Sequence, residues 1–251
     1  MAESRSSQYT YLNEQFSIAL GDAIKCLREL PDECVDFIIT DPPYNLGLFM
    51  KNRGTNMNKL RDGHFAASGW DDLNFNDWVL EMDKLFSECH RVLKKRGNLI
   101  MFMSIIKVET LIALAEKHKF YYKTVGVWHK TNPIPRNMNL HFINSTETWI
   151  YLVNNGTTGT FNNDGKAIHD FIETSIISTK ERKFGKHPTQ KPIALLNHFI
   201  KILSNENDVV LDPFMGSGST GVSCKKLNRK FIGIELNSDY FEIAKNRILD
   251  K

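Results

Sequence analysis

From Phe16 to Leu249, short aliphatic runs of strand length alternate with stretches whose apolar residues recur at helical spacing. Such alternation favours a mostly parallel sheet covered by helices on both faces. The reading along the chain is strand Phe16–Leu20, helix Asp22–Leu30 capped by Gly21-Asp22, strand Val35–Thr40 and helix Asn76–Leu93. A turn at Lys95-Arg96-Gly97 leads to strand Asn98–Met103, helix Ile106–Lys117 and strand Tyr121–Trp128. The order then loosens from Lys130 to about Lys186, apart from an apolar strand at Thr148–Val153. It returns as helix Pro192–Leu203, strand Asp208–Leu211, a glycine turn, helix Thr220–Leu227, strand Lys230–Glu235 and helix Asp239–Leu249.

With 251 residues the chain is long enough for one large α/β domain with a modest insertion. A net charge of +3 permits an anionic partner without demanding one. The four cysteines, Cys26, Cys34, Cys89 and Cys224, have no CxxC spacing, so reduced, partly buried thiols are expected rather than a zinc site or disulfides. No apolar run approaches the ~18 residues of a membrane span, and the polar start carries no signal-peptide core. The expected location is cytoplasmic, with no membrane partner.

The stretch VVLDPFMGSGSTG, Val209 to Gly221, sets a glycine-rich turn between a strand and a helix. Glycines there let backbone approach a ligand, and the first N–H groups of the helix can meet its polar atoms. Glu235 ends the next strand nineteen positions after Gly216, where a carboxylate can accept hydrogen bonds from both hydroxyls of a ribose. A nucleoside-containing ligand follows. Asp22, just past the first strand, offers either a second polar contact for its base or simply a helix cap. A nicotinamide-dependent dehydrogenase fits the same spacing, but its nucleotide-binding unit would open the domain, whereas here it comes last.

The other unusual stretch is IITDPPYNLG, Ile38 to Gly47. It ends a buried strand on a carboxylate, at the edge where open α/β sheets bind ligands. Two prolines stiffen the turn and remove two backbone donors while leaving carbonyl acceptors. Tyr44 adds a flat face for a planar group. Asp41 and the Pro42 carbonyl can each accept a hydrogen bond from one exocyclic amino group. Two acceptors on one amine draw its lone pair out of conjugation and aim it outward, which a nitrogen nucleophile needs.

These residues resemble the amino-group DNA methyltransferases that use S-adenosyl-L-methionine. Asp41-Pro42-Pro43-Tyr44 is similar to their catalytic motif, and Phe214, Gly216 and Gly218 to their FxGxG cofactor motif. The segment from Lys186 to Pro192, KHPTQKP, is similar to the element before that motif. Catalytic motif, variable region and cofactor motif follow one another in the circularly permuted order of the β subgroup, over nearly the whole chain. The resemblance implies a Rossmann-like seven-stranded methyltransferase sheet with a small recognition insert. It divides the chain into a catalytic half (1–130), a target-recognition region (131–185) and a cofactor-binding half (186–251). Asp41, Pro42, Pro43 and Tyr44 would then hold and stack a flipped base, with Asn45 nearby. The cofactor would lie against Asp22, Asp41, Lys191, Asp212, Phe214, Gly216, Ser217, Gly218, Ser219, Thr220, Glu235 and Asn237. No catalytic cysteine and no metal are required.

In this family DPPY accompanies adenine N6 more often than cytosine N4, where Ser usually replaces the Asp, so adenine is expected. The resemblance is closest to restriction–modification enzymes, with a cognate endonuclease and a homodimer as expected partners besides DNA. Cytosine N4, RNA or a protein amide as acceptors, and the nicotinamide-dependent oxidoreductase, remain the alternatives. DNA contacts are expected from the loop at 45–70, with Lys51, Arg53, Lys59 and Arg61, from Lys130–Asn139, and from Lys180–Lys186. Trp70 and His141 could equally belong to the core.

Overall fold

The computed structural model describes residues 9–46, 73–135, 139, 142–185 and 187–250. Lys51, Arg53, Lys59, Arg61, Trp70, His141 and Lys186 lie outside them. The described strands are β1 (Tyr9–Tyr11), β2 (Phe16–Leu20), β3 (Val35–Thr40), β4 (Leu93–Met103), β5 (Phe120–Lys130), β6 (Thr146–Asn154), β7 (Phe171–Thr174), β8 (Val209–Asp212) and β9 (Lys230–Glu235). They form one sheet in the order β1-β2-β9-β8-β3-β4-β6-β5-β7. The helices are α1 (Ala23–Leu27), α2 (Phe75–Val92), α3 (Val108–Lys117), α4 (Ile193–Leu203), α5 (Ser219–Lys226) and α6 (Ser238–Leu249).

After an irregularity between Val35 and Phe37, side chains along β3 alternate between the two faces of the sheet. Val35 and Ile38 pack with Ile24, Leu27, Trp78, Met82, Leu85 and Leu111, so α1, α2 and α3 cover one face. Phe37 and Ile39 pack with Leu195, Phe199, Phe241, Ala244 and Ile248, so α4, α5 and α6 cover the other. A strand buried on both faces needs an apolar residue at nearly every position, which explains the runs VDFIIT and NLIMFM.

Strands β2, β9, β8, β3 and β4 run parallel to one another. Strand β6 is antiparallel to both β4 and β5. The described sheet has nine strands rather than the expected seven, with short strands at its edges, β1 of 3 residues and β7 of 4.

Two readings from the sequence change. Residues 131–185 are not a clean insertion, because β6 lies between β4 and β5 in the interior of the sheet. The turn expected at Lys95-Arg96-Gly97 is an irregularity inside β4: Leu93 pairs with Val35 and Asn98 with Phe37, and Arg96 takes a left-handed φ of 66°. The extra residues of β4 bulge out and the strand resumes its register. No disulfide joins the four cysteines, and Cys26, Cys89 and Cys224 are buried.

Asn98 ties the two halves together at the start of the regular part of β4. Its Nδ2 donates to the carbonyls of Thr160 and Leu203, both at 2.8 Å, and its Oδ1 accepts from the Tyr151 hydroxyl at 3.0 Å. Asn98→Ala strands buried partners in three separate segments. The expected loss of stability in urea unfolding is on the order of 3 kcal/mol.

Candidate active site

The topology gathers the polar residues on one edge. Parallel strands β3, β8, β9 and β2 end together, with Leu20 beside Glu235 and Asp212 beside Gly233. Asp41, Asp212, Glu235 and Asp22 follow or finish these strands, although the sequence separates them widely. This is the ligand edge of an open α/β sheet.

At the glycine turn, Gly216 and Gly218 have φ of 52° and 75°. A Cβ on Gly218 would come within 2.8 Å of the Ala244 Cβ on α6, so only glycine satisfies both backbone and packing there. Asp212 is buried and accepts from the Phe214 N–H at 3.1 Å and the Thr220 hydroxyl at 2.6 Å. Burial pushes its carboxyl up to about 7. Glu235 accepts from the Gly216 N–H at 2.9 Å and the Asn237 N–H at 2.7 Å, one on each oxygen. Those bonds aim the carboxylate and leave a lone pair on each oxygen for a diol. Burial raises its pKa as well.

Three predicted cofactor residues have side chains engaged elsewhere. Ser217 donates to Gln190 Oε1 at 3.1 Å, Ser219 accepts from Arg247 at 3.0 Å, and Thr220 bonds Asp212. What they present to a ligand is backbone. Asn237 caps α6 by accepting from the N–H groups of Asp239 and Tyr240. Asp22 caps α1 by accepting from the Lys25 N–H at 3.0 Å. Arg247 was not anticipated: it is 6% exposed and donates to the carbonyl of Ser217 at 2.6 Å, holding the turn from beneath. Its place on the apolar stripe of α6, with Tyr240, Ala244 and Ile248, was the signal available in the sequence.

At the end of β3, the Tyr44 hydroxyl donates to Asp41 Oδ1 at 2.7 Å. Lys191, placed by the residues that lead into α4, pairs with the other oxygen, Asp41 Oδ2. The same ammonium lies 3.0 Å from Glu147 Oε2, and Lys130 pairs with Glu147 Oε1 at 2.6 Å. Lys191 therefore joins the acceptor end of the cleft, on Asp41, rather than the glycine turn. Lys130, expected among the DNA-facing residues, is turned inward onto Glu147. Asn45 is buried in a left-handed conformation, φ 49°, and its Oδ1 has no partner among the described residues. Glu147 went unnoticed because it sits at the beginning of a strand. An antiparallel β6 begins at the edge where the parallel strands end, which brings Glu147 beside Asp41.

Burial pushes the Asp41 carboxyl above its ordinary value, Lys191 opposes the rise and Glu147 adds to it. Glu147 is pushed up by burial but held below the usual carboxylate range by Lys191 and Lys130. Burial disfavours the Lys191 ammonium, yet the two carboxylates outweigh it and keep the lysine charged. Among the described residues no cluster of histidine, cysteine and carboxylate side chains could hold a metal.

The Asp-Pro-Pro-Tyr end of one strand, beside a glycine turn and the Glu235 carboxylate at its neighbours, marks an amino-group methyltransferase. The DNA methylase family model matches residues 35–246, and the chain belongs to that family of N6 and N4 amino methyltransferases. A type II methyltransferase of Lactococcus lactis subsp. cremoris, M2.LlaDCHI, is 33% identical, spanning 95% of this chain and 91% of its own. The DNA adenine methyltransferase YhdJ of Escherichia coli (strain K12) is 32% identical, spanning 94% and 83%. The crystal structure of the M1.HpyAVI–SAM complex has a TM-score of 0.72 and 30% identity, covering 93% of this chain and 99% of that one.

Gly218→Ala tests the turn itself. Its left-handed backbone and the contact with Ala244 predict a loss of about 1–3 kcal/mol in chemical unfolding.

Proposed function

We propose that this DNA methyltransferase transfers a methyl group from S-adenosyl-L-methionine to the N6 amino group of an adenine turned out of DNA. The observation that carries the reading is the shared sheet edge. It sets the Asp41 carboxylate and Pro42 carbonyl at one strand end, with the Gly216–Gly218 turn and Glu235 on the adjoining strands. The relatives named as type II and DNA adenine methyltransferases support adenine and a restriction–modification setting, with a cognate endonuclease. A homodimer in the cytoplasm belongs to the same proposal.

The residues fit the cofactor. The left-handed glycines open the backbone at the start of α5, and Glu235 holds free lone pairs toward a ribose. Asp212 stands at the methionine end, and Asp22 has one carboxylate oxygen besides its cap bond for the adenine. When bound, the cofactor supplies an electrophilic methyl on sulfur. Asp41 and the Pro42 carbonyl would hold the target amino group and draw its lone pair outward, and Tyr44 would stack on the base. The base must leave the duplex to reach them. Transfer is direct, so orientation and fixed acceptors carry the catalysis. β5 ends at Lys130 and β6 begins at Thr146, so region 131–185 departs from the strand end that carries Lys130 and returns beside Glu147. Region 131–185 would read the DNA sequence.

Two substitutions separate the halves of the site. Asp41→Ala should reduce methyl transfer to DNA by about 10³-fold or more while isothermal titration shows near-normal cofactor affinity. Glu235→Ala should weaken cofactor binding by about tenfold or more through loss of charge-assisted bonds. A fully active Asp41→Ala, or a Glu235→Ala of unchanged affinity, contradicts the respective assignment.

A further inference from the structure

Both oxygens of Asp41 are engaged, Oδ1 by the Tyr44 hydroxyl and Oδ2 by the Lys191 ammonium, so an amine that takes Oδ2 must displace Lys191. Its side chain is 9% exposed, and its ammonium touches both Asp41 Oδ2 and Glu147 Oε2. Tyr44 spans the same pair, 2.7 Å from Asp41 and 3.5 Å from Glu147. Lys130 fixes the far oxygen of Glu147, so the near one stays turned toward Lys191. Two carboxylates and two ammonium groups balance within one cluster.

Removing one partner of a buried ion pair strands the other charge in a medium that solvates it poorly. If Lys191 had only Asp41, admitting an amino group to that carboxylate would strand its ammonium in this way each time substrate bound. Resting on the reading of Asp41 as the acceptor for a target amine, we propose that Glu147 is a positioning residue. It receives the Lys191 ammonium when the amine takes Asp41, so that the acceptor can be vacated without leaving a buried charge unpaired. No covalent step is involved. Lys191 keeps its proton and one carboxylate partner throughout, consistent with the charged states that the cluster favours.

The test uses the full-length protein, labelled S-adenosyl-L-methionine and unmethylated genomic DNA. The variants are Glu147→Gln, Lys191→Met and the double substitution. Glu147→Gln should leave cofactor affinity, read by isothermal titration, within about twofold. It should raise KM for DNA by about tenfold or more, because Lys191 then stays on Asp41. Since Glu147 acts through Lys191, the double variant should be no worse than Lys191→Met alone, a non-additivity that a separate structural role would not produce. Glu147→Asp, which retains the charge, should recover part of the loss and also guards against misfolding of the glutamine variant. Unchanged kinetics in Glu147→Gln, or additive losses in the double variant, overturn the proposal. Absence of transfer by the unsubstituted protein overturns the methyltransferase reading on which it rests, and the proposal with it.

Discussion

The carboxylate of Asp41, at the end of a strand buried on both faces, is the constraint around which the cleft is arranged. A charge there is costly, and the Lys191 ammonium and the Tyr44 hydroxyl both answer to it. Lys191 brings its own cost, met by Glu147, which in turn is held by Lys130. This end of the site is thus a closed chain of buried and half-buried charges, drawn from the end of β3, from β5 and β6, and from the approach to α4. Such clusters hold a defined geometry because any missing member leaves another unpaired.

The glycine-turn end solves a different problem with backbone rather than charge. Left-handed glycines, a buried arginine beneath the turn and two N–H groups on Glu235 fix the shape before any ligand arrives. Parallel β8 and β3 set the two ends side by side, though about 170 residues separate their motifs. The permuted order changes which motif comes first in the chain but not which strand ends are neighbours.

Most of the regular elements could be read from period and punctuation, since β3, β8 and β9 are mostly apolar runs of strand length and α2 and α4 carry clear apolar stripes. Strands β1 and β7 are too short to stand out and form only because the sheet offers an edge. Period also cannot show direction. Thr148–Val153 reads as a strand, but only the pairing shows that it runs antiparallel between β4 and β5, and that direction brings Glu147 to the cleft. The motif residues Asp41, Tyr44, Gly216, Gly218 and Glu235 were legible because turn chemistry and spacing mark them. Lys130, Glu147 and Arg247 were not, since their environment is set by residues remote in sequence.

What the chain does to DNA is measured most directly by incubating unmethylated DNA with the protein and labelled S-adenosyl-L-methionine, then resolving the nucleosides by mass spectrometry. Label in N6-methyladenine is the predicted result. Label in N4-methylcytosine, or no label in DNA at all, would contradict it.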